Sequence, residues 1–202
     1  MVIKEEIKEI ERKCAEAEMS LKEGAKNLVF GKGSEESEIM FVGEAPGAKE
    51  DELGEPFVGA AGKNLDGLLE KVGLSLNDVY IANILKYRPP ENRGPLPEEI
   101  EEHGKWLVEQ IKVINPKVIC SLGNYATKFF LAGGDVGKMK EQIGITQIHG
   151  KARIIDFLGL KIKLIPLFHP AAIIYNQSLK GEWEKDMEIV KMALKENQEK
   201  VF

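Results

Sequence analysis

The sequence has 202 residues, of which 43% are hydrophobic, 30% charged and 7% aromatic, enough chain for one sizeable α/β domain and short for two. Its formal charge of -5 argues against a protein that coats nucleic acid without selectivity, because phosphate binding draws on clustered basic residues, although a local basic face stays open. Two cysteines, Cys14 and Cys120, with no CxxC or CxxH spacing, leave neither a disulfide framework nor a cysteine-rich metal site, and no apolar run approaches the roughly 18–20 residues of a membrane helix.

A single domain over residues 1–202, in a reducing cytoplasm and without a membrane partner, is therefore expected. The abundance of Glu and Lys with few Gln is the composition of a heat-adapted surface. Residues 4–26 alternate acidic and basic side chains around Ile7, Ile10, Cys14 and Leu21, which predicts an amphipathic helix packed as a lid. The run Ile39-Met40-Phe41-Val42 ends at Gly43 and predicts a buried strand that delivers a loop. Leu65, Leu68 and Leu69 share one face of a helix over 64–72, stopped by Gly73. A second strand is predicted over 79–85, then a proline-punctuated loop over 88–95, a helix over 97–114 and a third strand over 118–122. A short helix over 124–131, a fourth strand over 162–168 and a closing helix over 182–196 complete the pattern. Strands alternating with helices predict a three-layer α/β/α fold around a parallel sheet, with its chemistry on loops at the strands' carboxyl ends.

Four strand-end segments then stand out: Gly43-Glu44-Ala45-Pro46-Gly47, residues 83–93, Leu122-Gly123-Asn124 and Phe168-His169-Pro170. The Gly-x-x-Pro-Gly turn permits close approach of backbone to a ligand, but it is also an ordinary connection. Asn83 is an amide in an apolar strand, where an unpaired side chain costs about 1–3 kcal/mol; either it ties down a loop or it reads a ligand. His169 precedes a proline that fixes the next backbone torsion, so its imidazole is expected to point off the active edge of the sheet. Alone it reads as structural; beside Asn83 it reads as functional.

These residues, with Glu50-Asp51, Gly54-x-Pro56-Phe57-Val58-Gly59-x-Ala61-Gly62 and Asn83-Ile84-x-Lys86-x-Arg88-Pro89-Pro90-x-Asn92-Arg93, resemble the ordered motifs of the family-4 uracil-DNA glycosylases. The resemblance runs from about Asn27 to the last helix, and it implies a four-stranded parallel central sheet flanked by helices. It implies hydrolysis of the N-glycosidic bond of deoxyuridine in DNA, single- or double-stranded, by a monofunctional enzyme. Phe57 would stack on the flipped base and Asn83 would read its Watson-Crick edge. His169 would donate to uracil O2 as charge builds on the leaving base. Gly43, Glu44, Ala45 and Gly47 would line the pocket, with Glu44 helping to hold the attacking water and Glu50 shaping the pocket or orienting that water. Asn92 would contact DNA or the pocket rim. In family-1 relatives an aspartate stands where this chain has Ala45, so water activation is the least determined role.

The family's [4Fe-4S] cluster uses four cysteines, and the aligned positions here are Glu16, Met19, Tyr87 and His103. Those side chains cannot replace thiolates, so no cofactor and no metal is expected, with Met19 and Tyr87 filling the volume instead. Cys120 reads as a core residue. A cluster-free relative captures abasic sugar through a histidine in a basic inserted loop; nothing similar interrupts 88–98, and no such capture is expected of His103.

Six basic residues, Lys138, Lys140, Lys151, Arg153, Lys161 and Lys163, against three acids between 135 and 163 suggest, with Lys86, Arg88 and Arg93, a phosphate-binding rim or else a scattered surface. After Pro170 an apolar loop bearing Ile173 and Ile174 is suited to wedging into DNA, or simply buries. A monomer is expected; a sliding-clamp partner is compatible with the family, but no residue specifies one. The rival reading is a non-catalytic nucleic-acid-binding or nucleotide-binding module that kept the pocket and lost its activity.

Overall fold

A computed structural model describes residues 2–199, with side chains through 194. In chain order its helices are α1 (Val2–Glu16), α2 (Ala48–Leu53), α3 (Ala60–Lys71), α4 (Pro97–Ile114), α5 (Gly123–Leu131), α6 (Ile145–Ile148), α7 (Pro170–Tyr175) and α8 (Lys180–Glu199). Its strands are β1 (Lys32–Gly33), β2 (Ile39–Gly43), β3 (Val79–Asn83), β4 (Val118–Leu122), β5 (Arg153–Phe157) and β6 (Leu160–Leu167).

The sheet runs in the order β1-β3-β2-β4-β6-β5. The four inner strands are parallel, as expected, while β1 and β5 add an antiparallel edge on either side. Both edges escape periodicity: β1 has two residues, and β5 carries a mixed burial pattern on the rim. The hairpin between β5 and β6 turns on Leu158 and Gly159, both at positive φ, the geometry that a tight two-residue turn requires.

Alternation along the inner strands sorts side chains between two cores. Met40, Val42, Tyr80 and Ala82 face the layer that contains Ile7, Leu107, Ile111 and Phe129 from α1, α4 and α5. Ile39, Phe41, Val79 and Ile81 face Leu65, Leu68 and Leu69 of α3 and Trp183, Met187 and Val190 of α8. The apolar stripe of α4 begins after a backbone N–H cap, Leu96 N–H to Glu99 Oε2 at 2.8 Å, and the helix stops at Asn115 in the left-handed region.

Three expectations need correction. The first helix ends at Glu16 rather than near Lys26, and it packs along α4 rather than as a lid. The second strand ends at Asn83. Ile84 and Leu85 leave the ladder but donate their N–H groups to the carbonyls of Gly43 and Glu44, each at 3.0 Å, and so clamp the first strand-end loop. The segment after His169 is the short helix α7 rather than a loop.

Parallel register aligns the strand ends. Gly43 lies opposite Asn83, and Leu122 lies opposite Leu167, one residue before Phe168-His169. The chain crosses from β3 over β2 to β4, so the carboxyl ends of β2 and β4 flank the point where the winding reverses, the place where open sheets of this kind bind ligands.

Candidate active site

A cavity of about 300 Å³ opens at that edge, lined among others by Glu44, Glu50, Phe57, Asn83, Asn92 and His169. Ala45, Gly47 and Arg93 also line it. Three of the four strand-end segments singled out in the sequence thus meet here, while the fourth, Leu122-Gly123-Asn124, does not line the cavity and reaches it only through Gly123, which lies against His169.

Asn83 is buried, and its Oδ1 has no hydrogen-bond partner among the described residues. Such an acceptor costs about 1–3 kcal/mol unless something outside the chain meets it. Its surroundings keep space for a flat ligand. A side chain at Gly43 would collide with Asn83 Oδ1, and its Cβ would sit 2.7 Å from Phe57 Cζ. Phe57 itself holds a positive φ of 51°, a strained conformation for a bulky residue. The strain is held from three sides. Lys32 Nζ donates to the Phe57 carbonyl at 3.1 Å, Gly62 leaves no Cβ to strike that carbonyl, and Glu50 Oε1 accepts from Val58 and Gly59 N–H at 3.0 and 2.8 Å. Glu50 therefore fixes the amino end of α3 and the aromatic loop as well as facing the cavity.

The rings of His169 and Phe57 lie 5.8 Å apart. Burial pushes the His169 imidazole down to about 4, against a smaller opposing pull from Glu50, so the ring is neutral near pH 7. Its Nδ1 accepts from Ala171 N–H at 3.2 Å in the first turn of α7, which leaves Nε2 as the proton-bearing nitrogen. Among the described residues Glu44 has no charged partner, and burial raises its carboxyl to about 7. Asn92 stands at positive φ on the rim, where Arg88 Nε donates to its Oδ1 at 2.8 Å.

The basic rim is redrawn by the structure. Lys86 is fully buried and meets no solvent: its Nζ donates to Gln110 Oε1 at 2.6 Å, the Asn83 carbonyl at 2.8 Å and the Phe30 carbonyl at 3.4 Å. It steadies the main chain behind Asn83 rather than meeting phosphate. Arg93 is half-buried and forks onto Glu99, at 2.9 and 2.5 Å. Lys138 pairs with Asp135 at 2.8 Å. Lys163 lies opposite Val118, the first residue of β4, so Lys161 and Lys163 sit at the end of the sheet away from the cavity. Pro170 and Ile173 are buried, whereas Ile174 is 43% and Tyr175 89% exposed. The exposed apolar tip is therefore Ile174-Tyr175, because a helix turn sends Ile173 inward. Sequence reading missed Lys32 as a holder of Phe57, and Asn64, whose Nδ2 donates to the Pro170 carbonyl at 3.2 Å. Only the meeting of distant segments identifies either.

Residues 30–190 match the model of the uracil DNA glycosylase superfamily. A type-4 uracil-DNA glycosylase of Archaeoglobus fulgidus is 48% identical over 160 residues, covering 79% of this chain and 78% of that protein. One of Thermotoga maritima is 43% identical over 182 residues, 88% of each chain, and one of Saccharolobus solfataricus is 41% identical over 184 residues, 91% of this chain and 82% of that protein.

Proposed function

Because the chain belongs to the uracil-DNA glycosylase superfamily and aligns over most of its length with type-4 members, we propose a division of labour within its cavity for excising uracil from DNA. The protein is a DNA repair glycosylase that hydrolyses the N-glycosidic bond of deoxyuridine. The buried, unpartnered Oδ1 of Asn83 between Phe57 and Gly43 carries the assignment. It accepts from uracil N3–H while the same carboxamide donates to O4, a pairing that cytosine, with an N4 amine and a bare N3, does not offer. Phe57 stacks on the ring.

As the C1'–N1 bond breaks, its electron pair passes to uracil and C1' gains oxocarbenium character. Neutral His169 donates Nε2–H to O2 of the departing anion; a donor set in place beforehand needs no reorganisation when the charge develops. Water adds its oxygen to C1', and the ionised Glu44 takes the proton that water releases. Ala45 leaves no carboxyl at the neighbouring position, which favours Glu44 for this task. Among the described residues no lysine lines the cavity, in keeping with a monofunctional enzyme that forms no Schiff base. Asn92, held by Arg88, faces the DNA at the rim, and Ile174-Tyr175 forms the tip that enters the space left by the flipped base.

The residues at the family's cluster positions do not fit an iron–sulfur cluster. Glu16 pairs with Arg12 on the surface, and the Met19 sulfur accepts from Trp106 Nε1–H at 3.0 Å. Tyr87 is buried with its ring edge-on to His103, 6.1 Å between centroids. Both His103 nitrogens are engaged, Nδ1 by Lys86 N–H at 3.1 Å and Nε2 by the Ser20 carbonyl at 3.1 Å. Burial pushes the Cys14 thiol up to about 11, so it stays protonated. These interactions support an enzyme that folds and works without the cluster.

Release of free uracil from single- and double-stranded oligonucleotides tests the reading. Uracil release with an intact abasic strand is expected; tight binding without release sinks it in favour of a non-catalytic module.

A further inference from the structure

A second cavity, of about 490 Å³, adjoins the first, and its lining includes Pro95, Asn124, Tyr125, Lys128, Met139 and Lys140. Both of its walls continue walls of the base cavity along the chain. On one side the loop that brings Asn92 and Arg93 to the base cavity runs through Gly94 to Pro95. On the other, Gly123 lies against His169, where a Cβ would come 3.1 Å from that of the histidine, and leads directly into Asn124 and Tyr125. The two walls touch: a Cβ at Gly94 would lie 2.6 Å from the Tyr125 hydroxyl oxygen. A strand that leaves the base cavity across this contact reaches the second one.

The chemistry of the lining is one-sided. It holds two cations and no carboxylate. The ammonium groups of Lys128 and Lys140 have no ion pair or hydrogen bond among the described residues, while the charged groups of neighbouring Lys138 and Arg93 are committed to Asp135 and Glu99. Free ammonium groups beside a half-buried tyrosine face and apolar Pro95 and Met139 complement a nucleotide, with phosphate on the cations and the base on the ring. In a duplex the neighbouring base stays stacked and paired, so only its phosphate reaches such a cavity. In a single strand the base is free to enter.

Building on the glycosylase reading above, we propose that this cavity holds the nucleotide next to the flipped deoxyuridine in single-stranded DNA, its phosphate on Lys128 and Lys140 and its base against Tyr125. The test is steady-state uracil release from a single-stranded oligonucleotide as a function of salt. Joint Lys128→Gln and Lys140→Gln substitution is expected to raise KM about tenfold with a much smaller change in kcat. It should also flatten the dependence of log kcat/KM on log salt by about 0.7 for each phosphate that is no longer neutralised. Tyr125→Leu is expected to raise KM about tenfold and Tyr125→Phe to behave like wild type. The leucine effect should vanish when base-free spacers flank the uridine, and shrink on duplex. Lys161→Gln, at the far end of the sheet, is the control. An unchanged KM and salt slope in the double variant overturns the proposal, as does a Tyr125→Leu defect that persists on the spacer substrate. If wild type releases no uracil, the reaction reading fails. The salt dependence of oligonucleotide binding by the same variants then still decides the cavity.

Discussion

His169 and Glu44 owe their chemistry to burial, opposed at His169 only by the smaller pull of Glu50 and at Glu44 by no charge among the described residues, and each makes a prediction of opposite sign. The imidazole is depressed from 6.5 to about 4, so its contribution to stability is fully present above about pH 6.5 and is lost as pH falls toward 4. The donor thus stays neutral across the working range, and His169→Ala should slow uracil release about a hundred- to a thousandfold with little change in DNA affinity. A large affinity loss with unchanged single-turnover rate would place the residue elsewhere. The Glu44 carboxyl is raised from 4.5 to about 7, so the stability it permits is present below about pH 4.5 and is lost as pH rises through 7. Glu44→Gln should therefore gain thermal stability relative to wild type at pH 8. Activity should run the other way: kcat climbs with pH through about 7 in wild type, and Glu44→Gln removes that limb with a loss of about 10²–10⁴ in rate. A variant that keeps the same pH profile shows that another group takes the proton.

Among the elements, α4 and β3 carry the site from behind. The buried face of α4 supplies Gln110, which receives Lys86 Nζ and donates to the Phe30 carbonyl and the Tyr80 hydroxyl, each at 3.0 Å. Burial lowers the Lys86 amine to about 7, and three oxygens still receive it. The amine thereby ties α4 to the end of β3 where Asn83 sits. One turn before Gln110, Leu107 is fully buried in the same layer. Leu107→Ala should cost about 2–5 kcal/mol, which at about 2–4 °C per kcal/mol for a domain of this size is measurable as a fall in Tm. A destabilisation below about 0.5 kcal/mol would mean that α4 does not pack against the sheet through this face. The strand ladders and apolar stripes of these elements were legible in sequence because their periods are local properties. The commitment of Lys86 was not legible, because a lysine in a strand-end motif reads as a cation for phosphate until the helix that covers it is in place.

Over the whole molecule, an acidic average coexists with nucleic-acid chemistry, and several cations outside the active face are paired locally, as Arg12 is with Glu9 and Glu16 and Lys112 with Glu109. The same tertiary packing closes the volume around Met19, Tyr87 and His103. Purified protein should therefore be colourless, without absorbance near 400 nm and without stoichiometric iron, and chelators should leave Tm and uracil release unchanged. A brown protein that bleaches on iron removal and loses stability would overturn that expectation. His103 is fully buried, so no denaturant-resistant adduct with abasic DNA should form through it.

The order of the motifs, the four parallel strands and the convergence of Glu44, Phe57, Asn83 and His169 were determined by the sequence itself. Apolar periodicity fixes the strands, and a parallel sheet places every strand end on one edge. The tertiary structure alone decided which groups face the ligand and which serve the scaffold. Lys86, Ile173 and Pro170 turn inward, Arg93 is taken by Glu99, and Lys161 and Lys163 lie at the wrong end of their strand. The physical reason is that a side chain's exposure and charge partners depend on elements far away in the chain. Residue type and spacing constrain those partners only weakly, whereas packing at interior density leaves each side chain one place to go.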